Sequence, residues 1–294
     1  MSLAPGARLG PYEVTAHLGA GGMGEVWRAL DTRLGRPVAL KLIRDASTDP
    51  DARARLEREA RLAASVSHPA ICQVYELAEI DGQLVLAMEL LKGAPLAARL
   101  GQPLPPAEAV STALTIIGGL GALHERGIVH RDLKPSNIFI TPHGVKLLDF
   151  GLARPVFPCA TDATLAVTEN GIGVGTPLYA APEQLLGRPF DVRADVYSLG
   201  AILFEMLTGR PPFSGATLAE LIHAVVHEPP PVLAGSPGVW ALDGVVRRAL
   251  AKAPSDRYLD IASFADALRP TRALLDDGTV TEARAMTRLA VLPF

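Results

Sequence analysis

The chain is short of several things, and each shortage excludes something. Only two of its 294 residues are cysteine, Cys72 and Cys159. They lie far apart, with no metal-ligand neighbour at a useful spacing, which excludes a disulfide framework and a cysteine-held metal and predicts a reducing compartment. Basic residues show no excess. The formal net charge is −3, which gives no support to a nucleic-acid partner. Long apolar runs are missing: Leu84–Leu91 is broken by Glu89, and Val196–Leu207 carries Ser198 and Glu205. A bilayer span needs about 20 mostly apolar residues, so the sequence predicts no membrane span. Met1 to Gly10 is not apolar enough for a secretory signal. Together these absences predict a soluble, cytoplasmic chain. Lysine is also scarce, with 5 among 28 basic residues, so each lysine is more informative than usual.

What is present is enough to build a core. Hydrophobic residues make up 49% and charged residues 20%. The length suits about two domains or one large bilobed one.

Leu18–Trp27 reads LGAGGMGEVW, with Gly19, Gly21 and Gly24 in the pattern G-x-G-x-x-G. Glycine lets the backbone reach positive φ and lets another group approach closely. The pattern alone fits both a dinucleotide-binding turn and a phosphate-covering flap. The flanks separate the two. A dinucleotide turn must lead into a helix. Here Glu25–Leu30 reads as a strand, Asp31–Pro37 as a turn and Pro37–Ile43 as another strand, which leaves no room for a helix.

Lys41 lies in the second of these strands. Period two puts Ala39 and Lys41 on one face and Val38 and Leu40 on the other. Under a glycine flap, Ala39 leaves room for a flat ring and Lys41 reaches phosphate oxygens. The plain alternative is an edge-strand lysine that blunts aggregation. Asp49-Pro50 predicts a helix start, with the helix running from about Pro50 to Val66. Glu59 shares the apolar face with Leu56, Leu62 and Ala63, whereas Glu57 sits in an ion-pair row with Arg53 and Arg61. Helical phase therefore selects Glu59 as the partner of Lys41.

A second helix is predicted from about Pro106 to Glu125, ending at Gly127. Val129–Ile140 then collects His130, Arg131, Asp132, Lys134 and Asn137, and Val145–Leu148 leads into Asp149, Phe150 and Gly151. Asp132, Asn137 and Asp149 offer hard oxygen donors of the kind that suit Mg²⁺, which also binds nucleotide phosphates.

With these blocks in view, the chain resembles the bacterial, eukaryotic-like (Hanks-type) serine/threonine protein kinases. The matching segments are LGAGGMGEV, VALK, REA, HRDLKPSN, DFG, GTPLYAAPE and DVYSLG, in family order, over about Tyr12 to Leu268. The resemblance implies an α+β, bilobal protein kinase fold. Residues 1–93 would form a small lobe and hinge, with a five-stranded antiparallel sheet and one helix. Residues 94–269 would form a larger, mainly helical lobe, and residues 270–294 a tail. The tail's TRLAVLPF weakly resembles the first strand of a TolB-like domain, though a loosely packed tail is the reading preferred.

The resemblance also implies roles. Gly19, Gly21 and Gly24, with Leu18 before them, would cover the phosphates of ATP. Lys41, paired to Glu59, would hold the α- and β-phosphates. Asp132 would accept the substrate hydroxyl's proton, and Lys134 would touch the γ-phosphate. Asn137 and Asp149 would hold Mg²⁺, with Mn²⁺ the alternative ion. Val26, Ala39 and Phe139 would sandwich the adenine. Met88 would be the gatekeeper at its rear, with Glu89 to Leu91 the hinge. A lysine two places after the catalytic Asp is similar to the serine/threonine class.

The 35 residues from Asp149 to Glu183 resemble an activation segment. Thr168 is the main expected phosphosite, followed by Thr164 and Thr161, with Arg131 to hold the phosphate and Arg154 to help. Thr176 would belong to the substrate-binding wall. Glu183 is expected to pair with Arg257, and Asp195 to anchor the catalytic-loop backbone. Expected partners are proteins bearing Ser or Thr, plus a second copy of the chain, met transiently during autophosphorylation. A pseudokinase would lack one of Lys41, Asp132, Asn137 or Asp149, and a small-molecule phosphotransferase would lack the long segment and AAPE block. A nicotinamide enzyme fails on the strand after Gly24.

Overall fold

The computed structural model describes residues 3–21, 24–43, 60–62, 64–149, 177–234, 237–272 and 275. Its amino-terminal part is one antiparallel sheet of six strands: β1 (Arg8–Leu9), β2 (Tyr12–Gly21), β3 (Gly24–Asp31), β4 (Arg36–Ile43), β5 (Val74–Ile80) and β6 (Gln83–Glu89). The strand order is β1-β2-β3-β4-β6-β5. The expected five strands are thus joined by a sixth. Arg8 pairs with Glu13 and Leu9 with Tyr12 across a two-residue turn in which Gly10 has φ 55°. Two residues are too few to show a period-two pattern, so β1 left no signal in the sequence.

The β5–β6 hairpin turns on Asp81-Gly82, both at positive φ (52° and 77°). That pair suits a two-residue turn whose twist matches its strands. The two faces of β4 separate as period two requires. Val38 and Leu40 join Leu9, Tyr12, Ala29, Val85 and Ala87 in one apolar cluster. Ala39 joins Cys72 and Met88 in another. Of the expected Pro50–Val66 helix, residues 60–62 and 64 are helical, and the rest of that span up to residue 59 lies outside the described residues.

The remainder is mainly helical, built on α1 (Pro106–His124), α2 (Pro182–Leu185), α3 (Arg193–Thr208), α4 (Leu218–His227) and α5 (Pro237–Ala249). Residues 261–272 are also helical. A small sheet of β7 (Ala94–Pro95), β8 (Ile138–Thr141) and β9 (Gly144–Leu147) lies beneath the first one. Pro106 opens α1, where a missing N–H costs nothing. α1 is the one described helix long and apolar enough to cross a membrane. Here its apolar side is core, with Val110, Ile116, Leu120 and Leu123 fully buried.

α3 is buried on nearly every side from Ala194 to Leu207, which marks a central core helix. At Gly200 an added β-carbon would stand 2.8 Å from that of Ala249 on α5, so only glycine allows this crossing. α3 ends at Gly209, whose φ of 75° closes the helix in the left-handed conformation. α4 starts with a capping box, in which Glu220 N–H donates to the Thr217 hydroxyl. These helices form the platform for the polar loop between α1 and β8.

Candidate active site

The loop from His130 to Asn137 is held from below by one carboxylate. Asp195, near the start of α3, accepts N–H hydrogen bonds from His130 (2.8 Å) and Arg131 (3.1 Å). Its Oδ2 also lies 2.8 Å from His124 Nε2. Gln184 on α2 donates to the Arg131 carbonyl at 3.0 Å. Between these fixings Arg131 has φ 68°, an uncommon value for a non-glycine residue. Such a conformation persists where its surroundings over-determine it. The His130 ring is fully buried, and burial pushes its pKa below the ordinary value.

The loop brings three of the expected residues together. Lys134 Nζ lies 2.8 Å from Asp132 Oδ2. Asn137 Nδ2 donates to the same oxygen at 3.2 Å and to the Asp132 carbonyl at 2.9 Å. Both groups engage Oδ2; among the described residues, Oδ1 of Asp132 is left to meet a further hydrogen-bond donor. The amide nitrogen of Asn137 is likewise committed, so its oxygen is the atom left for a cation.

Asp149 arrives from the neighbouring strand. Leu148 N–H donates to the Asn137 carbonyl at 2.9 Å, which sets Asp149 beside Asn137. Asp149 also has a positive φ of 55°. Its Oδ1 lies 2.7 Å from Lys41 Nζ, which reaches down from β4 and is itself buried. Glu59, the expected partner of Lys41, lies outside the described residues, as do Thr161, Thr164, Thr168 and Thr176.

Above this polar group the glycines close the β2–β3 hairpin, with Gly19 opposite Val26 and Gly21 opposite Gly24. Among the described residues, an added β-carbon at Gly19 would meet nothing within 4 Å. Their packing does not require glycine there, and the open space admits a group that must approach the backbone. Leu18, before it, is half exposed. The hard oxygen donors of Asn137 and Asp149, with this open flap and a buried lysine, fit a magnesium–nucleotide group.

The apolar side of the cleft is the cluster of Ala39, Cys72 and Met88, with Val26, Leu90, Leu91 and Leu148 packed against it. Met88 pairs with Ala39 across β4–β6. Phe139 is half-buried on β8, opposite Lys146 and Pro95. Leu90 belongs to the expected hinge, whereas Cys72 and Leu148 were not assigned to the cleft in the sequence. Leu148 was within reach, since alternation along Val145–Asp149 sets it on the face opposite Leu147. Cys72 carried no usable signal. Its thiol is buried, lies 3.7 Å from the Glu89 carbonyl and has its pKa pushed up to about 12 by burial.

Two further contacts secure the helical part. Arg257 forms a two-pronged bridge to Glu183, at 2.6 and 2.7 Å. Its remaining donors reach the carbonyls of Ala251, Arg193 and Lys252, so this fully buried guanidinium is satisfied. Tyr179 donates to Glu205 at 2.6 Å, and burial raises the pKa of both.

A two-lobed cleft with a glycine hairpin above a carboxylate–lysine–amide loop defines a class: nucleotide-using phosphotransferases of the protein kinase type. The chain belongs to that family, and residues 12–235 match the protein kinase domain. Over 272 residues it is 42% identical to the serine/threonine-protein kinase Pkn1 of Myxococcus xanthus, covering 90% of this chain and 38% of that protein. It is 38% identical over 295 residues to the serine/threonine-protein kinase PknE of Mycobacterium tuberculosis, covering 98% of this chain and 51% of that protein. The chain therefore spans about half or less of these relatives' length. Among solved structures, the M. tuberculosis PknI kinase domain matches with a TM-score of 0.73 at 33% identity, over 92% of this chain and 100% of that one.

Proposed function

We propose that this domain transfers the γ-phosphoryl group of ATP to serine and threonine hydroxyls of proteins. The observation that carries the proposal is the Asp132–Lys134–Asn137 group, set beside an Asp149 that Lys41 engages at 2.7 Å. The names of the similar proteins support the serine/threonine class, and so does the lysine two places after Asp132.

The chemistry needs positioning and charge neutralisation more than covalent help, because charge in phosphoryl transfer is spread over the transferred oxygens. Ala39, Met88, Cys72 and Leu148 seat the base. The glycine hairpin lies over the phosphates, and Lys41 binds them from β4. Asn137 and Asp149 would hold a divalent ion, which would neutralise phosphate charge when bound. Asp132 receives the substrate hydroxyl on Oδ1 and takes up its proton as the hydroxyl oxygen bonds to the γ-phosphorus and the bond from that phosphorus to the β–γ bridging oxygen breaks, so that ADP leaves. Lys134 stands beside Asp132 to neutralise the transferred group. A turnover of about 1–100 s⁻¹ is expected for the active form.

Activation by phosphate on the loop is part of the proposal. Arg131, exposed and with its backbone N–H held by Asp195, would hold a phosphothreonine, with Thr168 the leading acceptor and a second copy of the chain as the donor enzyme. Dephosphorylated protein should then show a lag that shortens with enzyme concentration, and Thr168→Ala should stay slow and show none. A Thr168→Ala enzyme that matches wild type contradicts that choice of site. The activity itself is tested by incubation with radiolabelled ATP, magnesium and dephosphorylated casein, followed by acid hydrolysis. Phosphoserine and phosphothreonine are the expected products; label on tyrosine, or no label at all, contradicts the proposal.

A further inference from the structure

Lys146 has no role in the phosphate chemistry described so far, yet it reaches the hinge. It lies on β9, three residues before Asp149. Its ammonium sits 2.8 Å from Glu89 Oε2 and 3.3 Å from the Ile71 carbonyl. The same carboxylate oxygen accepts the Gln73 N–H at 3.2 Å. Glu89 N–H in turn donates to the Gln73 carbonyl at 2.9 Å, and the Cys72 thiol points to the Glu89 carbonyl. Glu89 is thus gripped at its amide, its carbonyl and its side chain. Every grip but one comes from residues 72–73, which belong to the chain leading into β5. The exception is Lys146, on β9, the strand that leads into Asp149.

The arrangement suits lysine. An ammonium on a flexible four-carbon stem is a compact charge with three rotatable donors, which can serve the Glu89 carboxylate and the Ile71 carbonyl together. Elsewhere this chain prefers arginine, with only 5 lysines among its 28 basic residues. Lys41, Lys134 and Lys146 are three of those five, and all three stand around the cleft. The ion pair is also sheltered, with side-chain exposures of 18% for Lys146 and 29% for Glu89, so water screens it less than a surface pair.

We infer that Lys146 is a positioning residue for the nucleotide base. It ties the hinge backbone at Glu89–Leu91 to the strand that presents Asp149, and so fixes the distance between the seat of the adenine and the seat of the phosphates. This inference rests on the proposal that the cleft binds ATP. Loss of the tie leaves Asp132, Lys134 and Lys41 in place but lets the hinge drift. It therefore acts on nucleotide affinity and spares the transfer step.

The test is Lys146→Met, read by steady-state kinetics and by calorimetric titration with adenosine, which carries the base without phosphates. For a part-buried pair the expected rise in KM for ATP is roughly fivefold, with a matching loss in adenosine affinity and kcat within about twofold of wild type. Lys146→Arg should recover part of the affinity. The exchanged pair Lys146→Glu with Glu89→Lys should bind adenosine more tightly than either single variant. Equal adenosine affinity in wild type and Lys146→Met overturns the inference and leaves the kinase proposal standing. A parallel fall of kcat with stability also overturns it, since that is a structural defect. If Lys146→Met does not fold, Glu89→Gln serves in its place, and unchanged adenosine binding in that variant overturns the inference equally. Wild-type protein that binds neither ATP nor adenosine defeats the kinase proposal itself, and the inference with it.

Discussion

The ammonium of Lys41 lies 2.7 Å from Oδ1 of Asp149, a contact between residues 108 apart in sequence. One comes from the upper sheet, the other from the strand below the cleft. The contact places a buried cation beside a carboxylate that is suited to a divalent ion, which is what a polyphosphate needs on its two sides. Lys41→Met should leave the fold intact by circular dichroism and cut phosphate transfer by about 100-fold or more. Chelation with EDTA should stop transfer in wild type, and magnesium should restore it. Transfer that survives either treatment removes Lys41 or the metal from the proposed roles.

The Arg257–Glu183 bridge yields a prediction about stability. Both side chains are buried, and every donor of Arg257 has an acceptor. Removing one partner strands the other charge away from water, so Arg257→Met should cost about 3–5 kcal/mol in urea unfolding. The double variant Arg257→Met with Glu183→Met should lose less than the single one, because no lone charge is then buried. A double variant that is less stable than Arg257→Met would show that the bridge stabilises the fold beyond satisfying its own charges.

His130 predicts a dependence on acid. Its folded-state pKa is held below the ordinary 6.5 by burial, which outweighs the opposing pull of Asp195, Asp132 and Asp149. Above pH 6.5 the ring is neutral in both states, and folding loses nothing there. Below 6.5 the unfolded chain takes up a proton that the folded chain refuses. Stability should therefore fall as pH drops from 6.5 towards the lowered folded value, by up to about 1.4 kcal/mol per pH unit from this one group. Urea midpoints measured between pH 7.5 and 5.5 should decline less steeply in His130→Phe than in wild type. Equal slopes would assign the acid sensitivity to other groups.

How much of this was legible beforehand differs from element to element. β3 and β4 were readable because two runs of bulky and apolar residues flank a turn-like segment, and α1 because a proline start and a glycine stop bracket it. β1 was not, since a two-residue strand is made by its turn and its partner. The loop residues Asp132, Lys134 and Asn137 stood out by type and spacing, and the structure brings the Lys134 and Asn137 nitrogens within 3.2 Å of Asp132 Oδ2. The apolar wall was only half legible. Ala39 and Met88 lie on apolar strands, whereas Cys72 enters the cleft from an irregular segment whose direction only tertiary structure sets. The role inferred for Lys146 was invisible for the same reason: its partner Glu89 is 57 residues away, and nothing in either local sequence names the other.

The central claim is that Asp132 handles the substrate hydroxyl while other residues hold the nucleotide. The most direct measurement compares Asp132→Asn with wild type in two assays, calorimetric ATP affinity in magnesium and initial rate of phosphate transfer to casein. The account predicts ATP affinity within about twofold of wild type and a transfer rate lower by at least about 100-fold, the loss expected when a positioned proton acceptor is removed. A variant that still transfers phosphate within tenfold of wild type, or one whose ATP affinity collapses along with its rate, would contradict that division of labour.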